Sequence, residues 1–396
     1  MSFLQEKPIF PADVLSVIYG IHDLPRHDGL ALSSVTRMTR LVSLPFLFSS
    51  VTLNTKCKNA LENENQALFN SIRSISTGDT TSPWPQPAYF TPMLRLFPKL
   101  LNLRSICLCR TILPLQLLPA FLASITSLPL HELLLGIDTA SAPNSIDELP
   151  TAPPTLEVLR ITWGNLSDET KTPDPITDAS GFLRALVEPS VGTLQHLKVT
   201  FEYKQSATMS FDFGVLKAAR ALRSFSLSSY GDNADFIDDV LPDVLSPSLN
   251  ALSLEWHSYP GTQPMFKESF VASLAQLPNL ATLILGLDFE KDAKDTLRYD
   301  HDFGWYVRCL LRRLRATELL AAACPALETV VWRQSQIDSE GNNMNHAFRV
   351  GAGGAVRIVK DWWMDDLWKD ERGLPLPDNI DDVALDRIAM FKCYGI

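Results

Sequence analysis

The sequence predicts an α/β solenoid, a stack of short strand–helix repeats, over most of its 396 residues. Two observations carry this expectation: an apolar motif that recurs along the chain, and a helical spacing of apolar residues between its copies. Hydrophobic residues make up 46% of the chain, which is enough to bury a large core and argues against global disorder. Because each repeat of a solenoid packs only on its neighbours, the usual limit on domain length does not apply.

The recurring motif is a leucine with apolar residues at the third and fifth positions after it. Its copies begin at Leu103, Leu130, Leu156, Leu194, Leu222, Leu249, Leu280 and Leu327. The gaps between these starts are 27, 26, 38, 28, 27, 31 and 47 residues, so most of them lie within 26–31. This near-constant spacing is typical of leucine-rich repeats. The two long gaps predict insertions at about 162–180 and 288–303.

Each repeat is predicted to contain a strand, a turn, a helix and a proline-containing return. Proline ends a helix and sets an extended entry to the next strand, and it precedes most of the motif starts. Helical spacing predicts helices at Gln116–Ile125, Gly181–Glu188, Phe213–Ala221, Phe236–Leu245, Phe266–Leu277 and Phe303–Ala323. The expected fold is a horseshoe with parallel strands on the concave face and helices outside.

The turns after the strands depart from the usual pattern. Many leucine-rich repeats place Asn or Cys three residues after the last apolar position, where the side chain ties up backbone groups. This chain instead has Thr111, Asp138, Gly164, Glu202, Tyr230, His257, Asp288 and Ser335 at those positions. We therefore expect an irregular horseshoe whose turns satisfy their backbone groups in another way.

The N-terminal residues 8–53 differ in texture from the repeats. Phe10 to Ile21 predicts a helix that begins near Pro11, where proline costs little, with an apolar stripe along one side. Ala31 to Leu53 predicts one or two short helices broken at Pro45 and a strand that ends at Leu53. A unit this small needs the solenoid or a partner to bury its apolar faces.

This segment resembles an F-box, and an F-box ahead of such repeats resembles the F-box leucine-rich-repeat proteins, in particular their fungal members. The matching residues are Pro11, Asp13, Leu15, Ile18, Val35, Arg37, Pro45 and Phe48. Thr36 and Thr39 depart from the pattern, since Cys or Ser and an aromatic residue are usual there.

The resemblance implies a substrate-receptor subunit of a Skp–cullin–F-box ubiquitin ligase that is not itself an enzyme. A Skp-type adaptor would be bound through Pro11, Leu15, Ile18, Val35, Pro45 and Phe48, and the repeats would bind an unknown protein substrate. The alternative is a repeat scaffold that binds a protein without recruiting a ligase, with the N-terminal helices as its cap.

The domain organisation follows from these segments. Residues 8–53 form the F-box-like helical module, 54–95 a linker or N-terminal cap, 96–340 the solenoid, and 341–396 a C-terminal repeat and cap. The stretch AVRIV within this last region could add one more strand. The tryptophans that follow it (Trp362, Trp363 and Trp368) are expected to cover the last repeat, with a partner-docking site as the alternative.

The partner-binding surface is expected on the concave face, to which the strand residues between the apolar motif positions point. These are Ser105, Cys107, Glu132, Leu134, Val158, Arg160, His196, Lys198, Ser224, Ser226, Ala251, Ser253, Glu255, Thr282, Ile284, Thr329, Val331 and Arg333. The residues best suited to polar contacts are Arg160, His196, Lys198, Glu255 and Arg333. Arg160 and Arg333 rank first, because arginine often dominates interfaces.

Composition argues against several other classes of function. The formal net charge is −10, which does not favour nucleic-acid binding. The arginines between 308 and 315 predict a solvated helix surface, with an anion site as the alternative. No signal peptide or membrane span is expected, and the six cysteines show no paired CxxC motif, so we expect a cytoplasmic or nuclear protein without membrane contact.

No catalytic motif is present in the sequence, so neither an enzyme nor a cofactor is expected. The glycine-rich residues 351–354 lack the Lys-Ser/Thr of a phosphate-binding loop and predict a turn before a strand. Asp300, His301 and Asp302 are consecutive and cannot easily all face one metal ion, so they predict a loop tip and no metal site.

Overall fold

A computed structural model describes residues 37–53, 66–77, 90–138, 149–164, 180–202, 213–229, 246–256, 264–289, 303–337 and 343–359. The chain divides into two compact units. Unit 1 comprises residues 1–176 and 181–194, and unit 2 comprises residues 177–180 and 195–396. Both units are mixed α/β, with helices and a mainly parallel sheet.

Unit 1 alternates helices with parallel strands that pair in chain order. Its strands are β1 (Ser50–Leu53), β2 (Ser74–Thr77), β3 (Ser105–Pro114), β4 (Glu132–Asp138) and β5 (Val158–Gly164). Its helices are α1 (Arg37–Leu47), α2 (Gln66–Ser71), α3 (Phe90–Leu96), α4 (Leu118–Ile125) and α5 (Ser180–Val187, from its second residue onward). Short 3-10 turns lie at Phe97–Lys99, Leu115–Leu117 and Glu188–Ser190.

Unit 2 begins with five parallel strands and ends with two antiparallel ones. The strands are β6 (His196–Glu202), β7 (Ser224–Ser229), β8 (Ala251–Trp256), β9 (Thr282–Gly286), β10 (Thr329–Ile337), β11 (Asn343–Val350) and β12 (Val356–Ile358). The helices are α6 (Glu268–Leu274) and α7 (Phe303–Ala323), with 3-10 turns at Phe213–Ala218 and Ala352–Gly354. The predicted glycine-rich turn is confirmed, with positive φ at Gly353 (75°) and Gly354 (80°) before β12.

The predicted strands of the repeat motif are confirmed: β3 to β10 each begin two residues after a motif leucine. The apolar motif residues are buried and the residues between them are more exposed, as in β4, where Leu133 and Leu135 are buried and Leu134 is half-buried. The predicted helices coincide with or overlap helical segments, and Phe303–Ala323 has the predicted bounds. The predicted helix Phe236–Leu245 lies outside the described residues.

The sheet of unit 1 begins earlier than the sequence pattern indicates. Phe48 and Ile72 start two variant copies of the motif, FSSVTL and IRSIST, which lead into β1 and β2. The second copy has Thr77 at the last apolar position. Because neither copy opens with leucine, the search for leucine-led repeats passes over both. β1 therefore lies inside the segment 8–53, and β2 lies inside the segment 54–95 that was predicted to be a linker or cap.

Within each unit, a backbone ladder ties each parallel strand to the one before it. The two residues after the motif leucine both donate their amides to one carbonyl of the preceding repeat, as His131 and Glu132 do to the Arg104 oxygen at 2.8 and 3.0 Å. The same arrangement recurs at residues 73–74, 104–105 and 157–158 in unit 1 and at 223–224, 250–251, 281–282 and 328–329 in unit 2. A carbonyl oxygen has two lone pairs and can accept both bonds, so this ladder fixes the register between repeats.

A second ladder uses the side chain that immediately precedes the motif leucine. In unit 1, Thr155 Oγ1 donates to the Leu130 carbonyl at 2.6 Å and Thr193 Oγ1 donates to the Leu156 carbonyl at 2.8 Å. Corresponding bonds run from Asn102 to Asn70, from Ser248 to Leu222 and from Asn279 to Pro247. These bonds supply donors to backbone carbonyls at the start of the strands. The asparagines that are missing here would satisfy backbone groups after the strands.

Candidate functional site

The two units expose one face of their sheets, and we call this the open face of each unit. It carries the strand residues between the buried motif positions, which are exposed or half-buried in unit 1. The half-buried Ser105 donates its hydroxyl to Glu132 Oε2 at 2.8 Å, which links β3 to β4. Arg160 on β5 is exposed, so its guanidinium is accessible on this face.

A polar cluster borders the open face of unit 1 at the start of its strands. Arg104 Nη1 lies 2.8 Å from His131 Nε2, and His131 Nδ1 lies 2.8 Å from Glu157 Oε1. Since the arginine can only donate, Nε2 accepts and the imidazole places its proton on Nδ1, toward the carboxylate. These three residues share one position of successive repeats, so the repeat itself brings them together.

The open face of unit 2 begins with basic side chains and continues with small ones. His196 and Lys198 on β6 are exposed, and in the register they lie opposite Ser224 and Ser226 of β7. Ser226 in turn lies opposite Ser253 of β8. Short hydroxyl side chains therefore follow the basic ones on this face, and Ser253 is buried.

An ion pair crosses this face between β8 and β10. Glu255 is 6% exposed, and its carboxylate accepts from the Arg333 guanidinium and, at 2.6 Å, from the Ser253 hydroxyl. The arginine side chain is 44% exposed, so the carboxylate orients a guanidinium that still faces solvent. A fixed guanidinium binds carboxylates with less entropy loss than a mobile one.

Gly286 makes this pair possible, because β9 lies between β8 and β10. The glycine lies opposite Glu255 in the register, and Trp332, the residue before Arg333, lies opposite Leu285. A Cβ on Gly286 would lie 2.8 Å from the Trp256 nitrogen and 3.0 Å from the Glu255 Cα. The pair therefore passes over a strand position that has no side chain and no room for one.

Four of the five residues predicted for partner contacts have exposed side chains: Arg160, His196, Lys198 and Arg333. Glu255 is buried and bound to Arg333, so on this face it positions the arginine more than it meets a partner itself. The sequence pattern placed Ser253 on this face but not among the residues for polar contacts, and it did not include Gly286. The glycine directly after the motif residues of β9 is the sequence signal that could have found this arrangement.

Most of the residues predicted to bind an adaptor lie outside the described residues: Pro11, Leu15, Ile18 and Val35. Pro45 is exposed near the end of α1. Phe48 is half-buried, and it occupies the leucine position of the motif copy that leads into β1. Its position is thus part of the repeat pattern of unit 1.

Arg313 corrects the expectation of a solvated arginine helix. Its side chain is fully buried in α7, whereas Arg315 is exposed. Arg313 Nη1 donates to the Cys309 carbonyl at 3.0 Å, Nη2 lies 3.8 Å from Asp288 Oδ1, and the guanidinium stands 5.2 Å from the centre of the Phe289 ring. Burial lowers the pKa of Arg313, and the nearby Asp288 opposes this effect. Spacing on a helix could not reveal which arginine faces the sheet.

Aromatic rings and a histidine surround this buried arginine in unit 2. The rings of Phe266, Phe289 and Trp332 lie 5.4–5.5 Å apart, and the indole of Trp332 donates to Thr317 at 2.9 Å. His346 on β11 lies opposite Trp332 and is 1% exposed. Burial, and secondarily the charge of Arg313, lowers the pKa of His346 to about 3.

The comparisons with known proteins leave the family of this chain open. No family model matches the sequence, and no curated protein matches it. One of the matching solved structures is the crystal structure of a TLR13–ssRNA13 complex, at 14% sequence identity and a TM-score of 0.24. The match covers 62% of this chain and 41% of that chain. Similarity of this degree does not establish a shared fold.

The described side chains offer little that indicates metal or membrane chemistry. Within that part of the chain, no three His, Cys, Asp or Glu residues are grouped so that they could hold a metal ion. Among the described helices, none combines the length and the apolar character needed to cross a bilayer.

Arg333→Gln is expected to lower the free energy of unfolding by about 1–2 kcal/mol, because it removes a charged partner of a buried carboxylate. The exposure of the arginine keeps the effect below that of a fully buried pair. Urea unfolding of the wild type and the variant measures this loss of free energy. Arg160→Gln is the matched control, since Arg160 is exposed, and should change stability by less than about 0.5 kcal/mol. Equal losses in the two variants would contradict the assigned role.

Acid should destabilise unit 2 through His346. The native pKa is about 3 and the unfolded pKa is about 6.5, so between these values the unfolded chain binds more protons. Because the folded state keeps this ring neutral, its contribution to the free energy of unfolding is complete above pH 6.5. That free energy falls as the pH decreases, by at most about 1.4 kcal/mol per pH unit. His346→Gln should flatten the pH dependence of urea unfolding between pH 6.5 and 5. The exposed His196→Gln should retain it, and a dependence unchanged in His346→Gln would contradict this assignment.

Proposed function

We propose that this chain is a leucine-rich-repeat-like protein that binds another protein through the open faces of its units. The observation that carries the proposal is the regular ladder of parallel strands, each of which buries its motif leucines and turns the alternate residues outward. Such a face offers many short polar contacts and a few fixed charges, as at Arg333, which is how repeat proteins bind extended protein surfaces.

The more specific proposal is that the chain is a substrate receptor of a Skp–cullin–F-box ubiquitin ligase. It draws its support from the sequence resemblance of residues 8–53 to an F-box. In this role the N-terminal segment holds a Skp-type adaptor, and the open face holds the protein to be ubiquitinated. The chain itself supplies binding and no catalytic group.

The alternative is a scaffold that recruits no ligase, and one observation favours it. Phe48 starts a motif copy, α1 packs against α2, and β1 pairs with β2. The last part of the F-box-like segment thus belongs to the repeat architecture of unit 1. Residues that complete a repeat have less surface left for an adaptor.

Co-expression of the full chain with a Skp-type adaptor, followed by co-purification, separates these two functions. The ligase proposal predicts that the wild type retains the adaptor and that Leu15→Asp combined with Val35→Asp loses it, because charge on an apolar docking face is unfavourable. Leu319→Asp is the matched control, since Leu319 is exposed on α7 in unit 2, and it should retain the adaptor. A folded wild type that retains no adaptor would leave the scaffold function.

A further inference from the structure

We propose that the open face of β10, β11 and β12 binds an extended acidic segment of a partner protein. This inference rests on the proposed function of the chain as a protein-binding repeat protein, and it names the chemistry of the partner. The site consists of two basic positions separated by an apolar row, all within unit 2. We call it the arginine patch, made of Arg349, Arg357, Val359, Val331 and Arg333.

The first observation is a pair of like charges. Arg349 on β11 and Arg357 on β12 lie directly opposite each other in an antiparallel pair, and both are exposed. Side chains in that arrangement stand about 5 Å apart at Cβ, and two positive charges there repel. Neither arginine makes a hydrogen bond or an ion pair with the described residues. Among the described residues this pair is therefore a repulsion that a bound carboxylate would relieve.

The second observation is the apolar row beside this pair. Two residues along the strands, the register aligns Val331 of β10 with Ala347 of β11. Val359, just after β12, donates its amide to the Ala347 carbonyl and is 40% exposed. This row gives the patch an apolar surface next to its charge. A ligand that matches both must carry apolar and acidic groups together.

The third observation is Arg333, two residues beyond Val331 on the same strand and the same face. Its guanidinium is oriented by Glu255, and the side chain as a whole remains 44% exposed. The patch therefore alternates basic, apolar and basic positions with a spacing of two residues, about 6.8 Å. An extended peptide places its alternate side chains at the same spacing, so an acidic residue, an apolar residue and an acidic residue at positions i, i+2 and i+4 fit the patch.

The chemistry favours a peptide over a nucleic acid. A phosphate backbone would meet three arginines here but would gain little from the row of Val331, Ala347 and Val359. The chain also has a net charge of −10, which opposes a polyanion at long range. A short acidic segment with an apolar centre meets the local charge and covers the apolar row.

Fluorescence anisotropy with the full chain tests the proposal directly. The probe is a fluorescein-labelled peptide of sequence GESLSEG, and the control peptide is GQSLSQG. We expect measurable binding of the acidic peptide, which weakens as salt increases, and at least about tenfold weaker binding of the glutamine peptide. Arg349→Gln combined with Arg357→Gln should weaken binding of the acidic peptide about tenfold.

The matched control is Lys217→Gln combined with Arg220→Gln, which removes the same charge from exposed side chains outside the strands of unit 2. It should bind the acidic peptide as the wild type does. Thermal unfolding keeps folding separate from binding: relief of the like-charge repulsion should raise the midpoint of the patch variant by about 1–3 °C. If that double variant fails to fold, Arg357→Gln alone replaces it and should weaken peptide binding at least about threefold.

Several outcomes would overturn the proposal. These are equal binding of the two peptides, unchanged binding by the folded patch variant, and a short single-stranded RNA that displaces the peptide and binds more tightly. Stronger peptide binding by Asp365→Asn combined with Asp366→Asn would make the acidic C-terminal region of this chain the occupant, and not a partner. Co-purification with the adaptor is scored separately, so failure of peptide binding and failure of the ligase function remain distinguishable.

Discussion

The rest of this structure depends on one interaction, a backbone carbonyl oxygen in each repeat that accepts two hydrogen bonds. Two successive amides of each repeat bond to a single oxygen of the preceding repeat, in both units. A shift of one residue at any step would turn that strand's leucines to the open face and its polar residues into the core. With the register fixed, motif leucines stack on motif leucines, and each fully buried one contributes roughly 1.5–3 kcal/mol.

The same register builds the candidate surface in each unit. It lines up Arg104, His131 and Glu157 in unit 1, and it places Gly286 between Glu255 and Arg333 in unit 2. In β11 and β12, where the strands become antiparallel, it sets Arg349 against Arg357. Charges on these faces are therefore positioned by the backbone, and side chains such as Ser253 refine the orientation. The candidate surface in each unit is therefore built by the repeated strands and not by a single loop.

Much of this fold can be predicted from the sequence, because buried leucines at constant spacing carry a strong signal. That signal locates β3 to β10 and the bounds of α7. It fails at Phe48 and Ile72, where another apolar residue replaces leucine, and at Arg313, because helical spacing does not say which side of a helix faces the sheet. The exposed residues of the candidate surface follow from alternation within strands. The Arg349–Arg357 pair depends on the register of the β11–β12 hairpin. The path of Arg333 over Gly286 depends on pairing between strands distant in sequence. Alternation within one strand reveals neither.

Native-state hydrogen exchange at single-residue resolution tests the shared-carbonyl ladder most directly. Both amides of each pair, such as His131 with Glu132 and Ala281 with Thr282, are expected to exchange as slowly as amides in the strand interiors. The amide of the first residue in each pair is the sensitive one, because it precedes the strand and is protected only by the shared carbonyl. If these first amides exchange at the rate of unprotected backbone while the second amides stay protected, the carbonyl accepts one bond and the account of the register is contradicted.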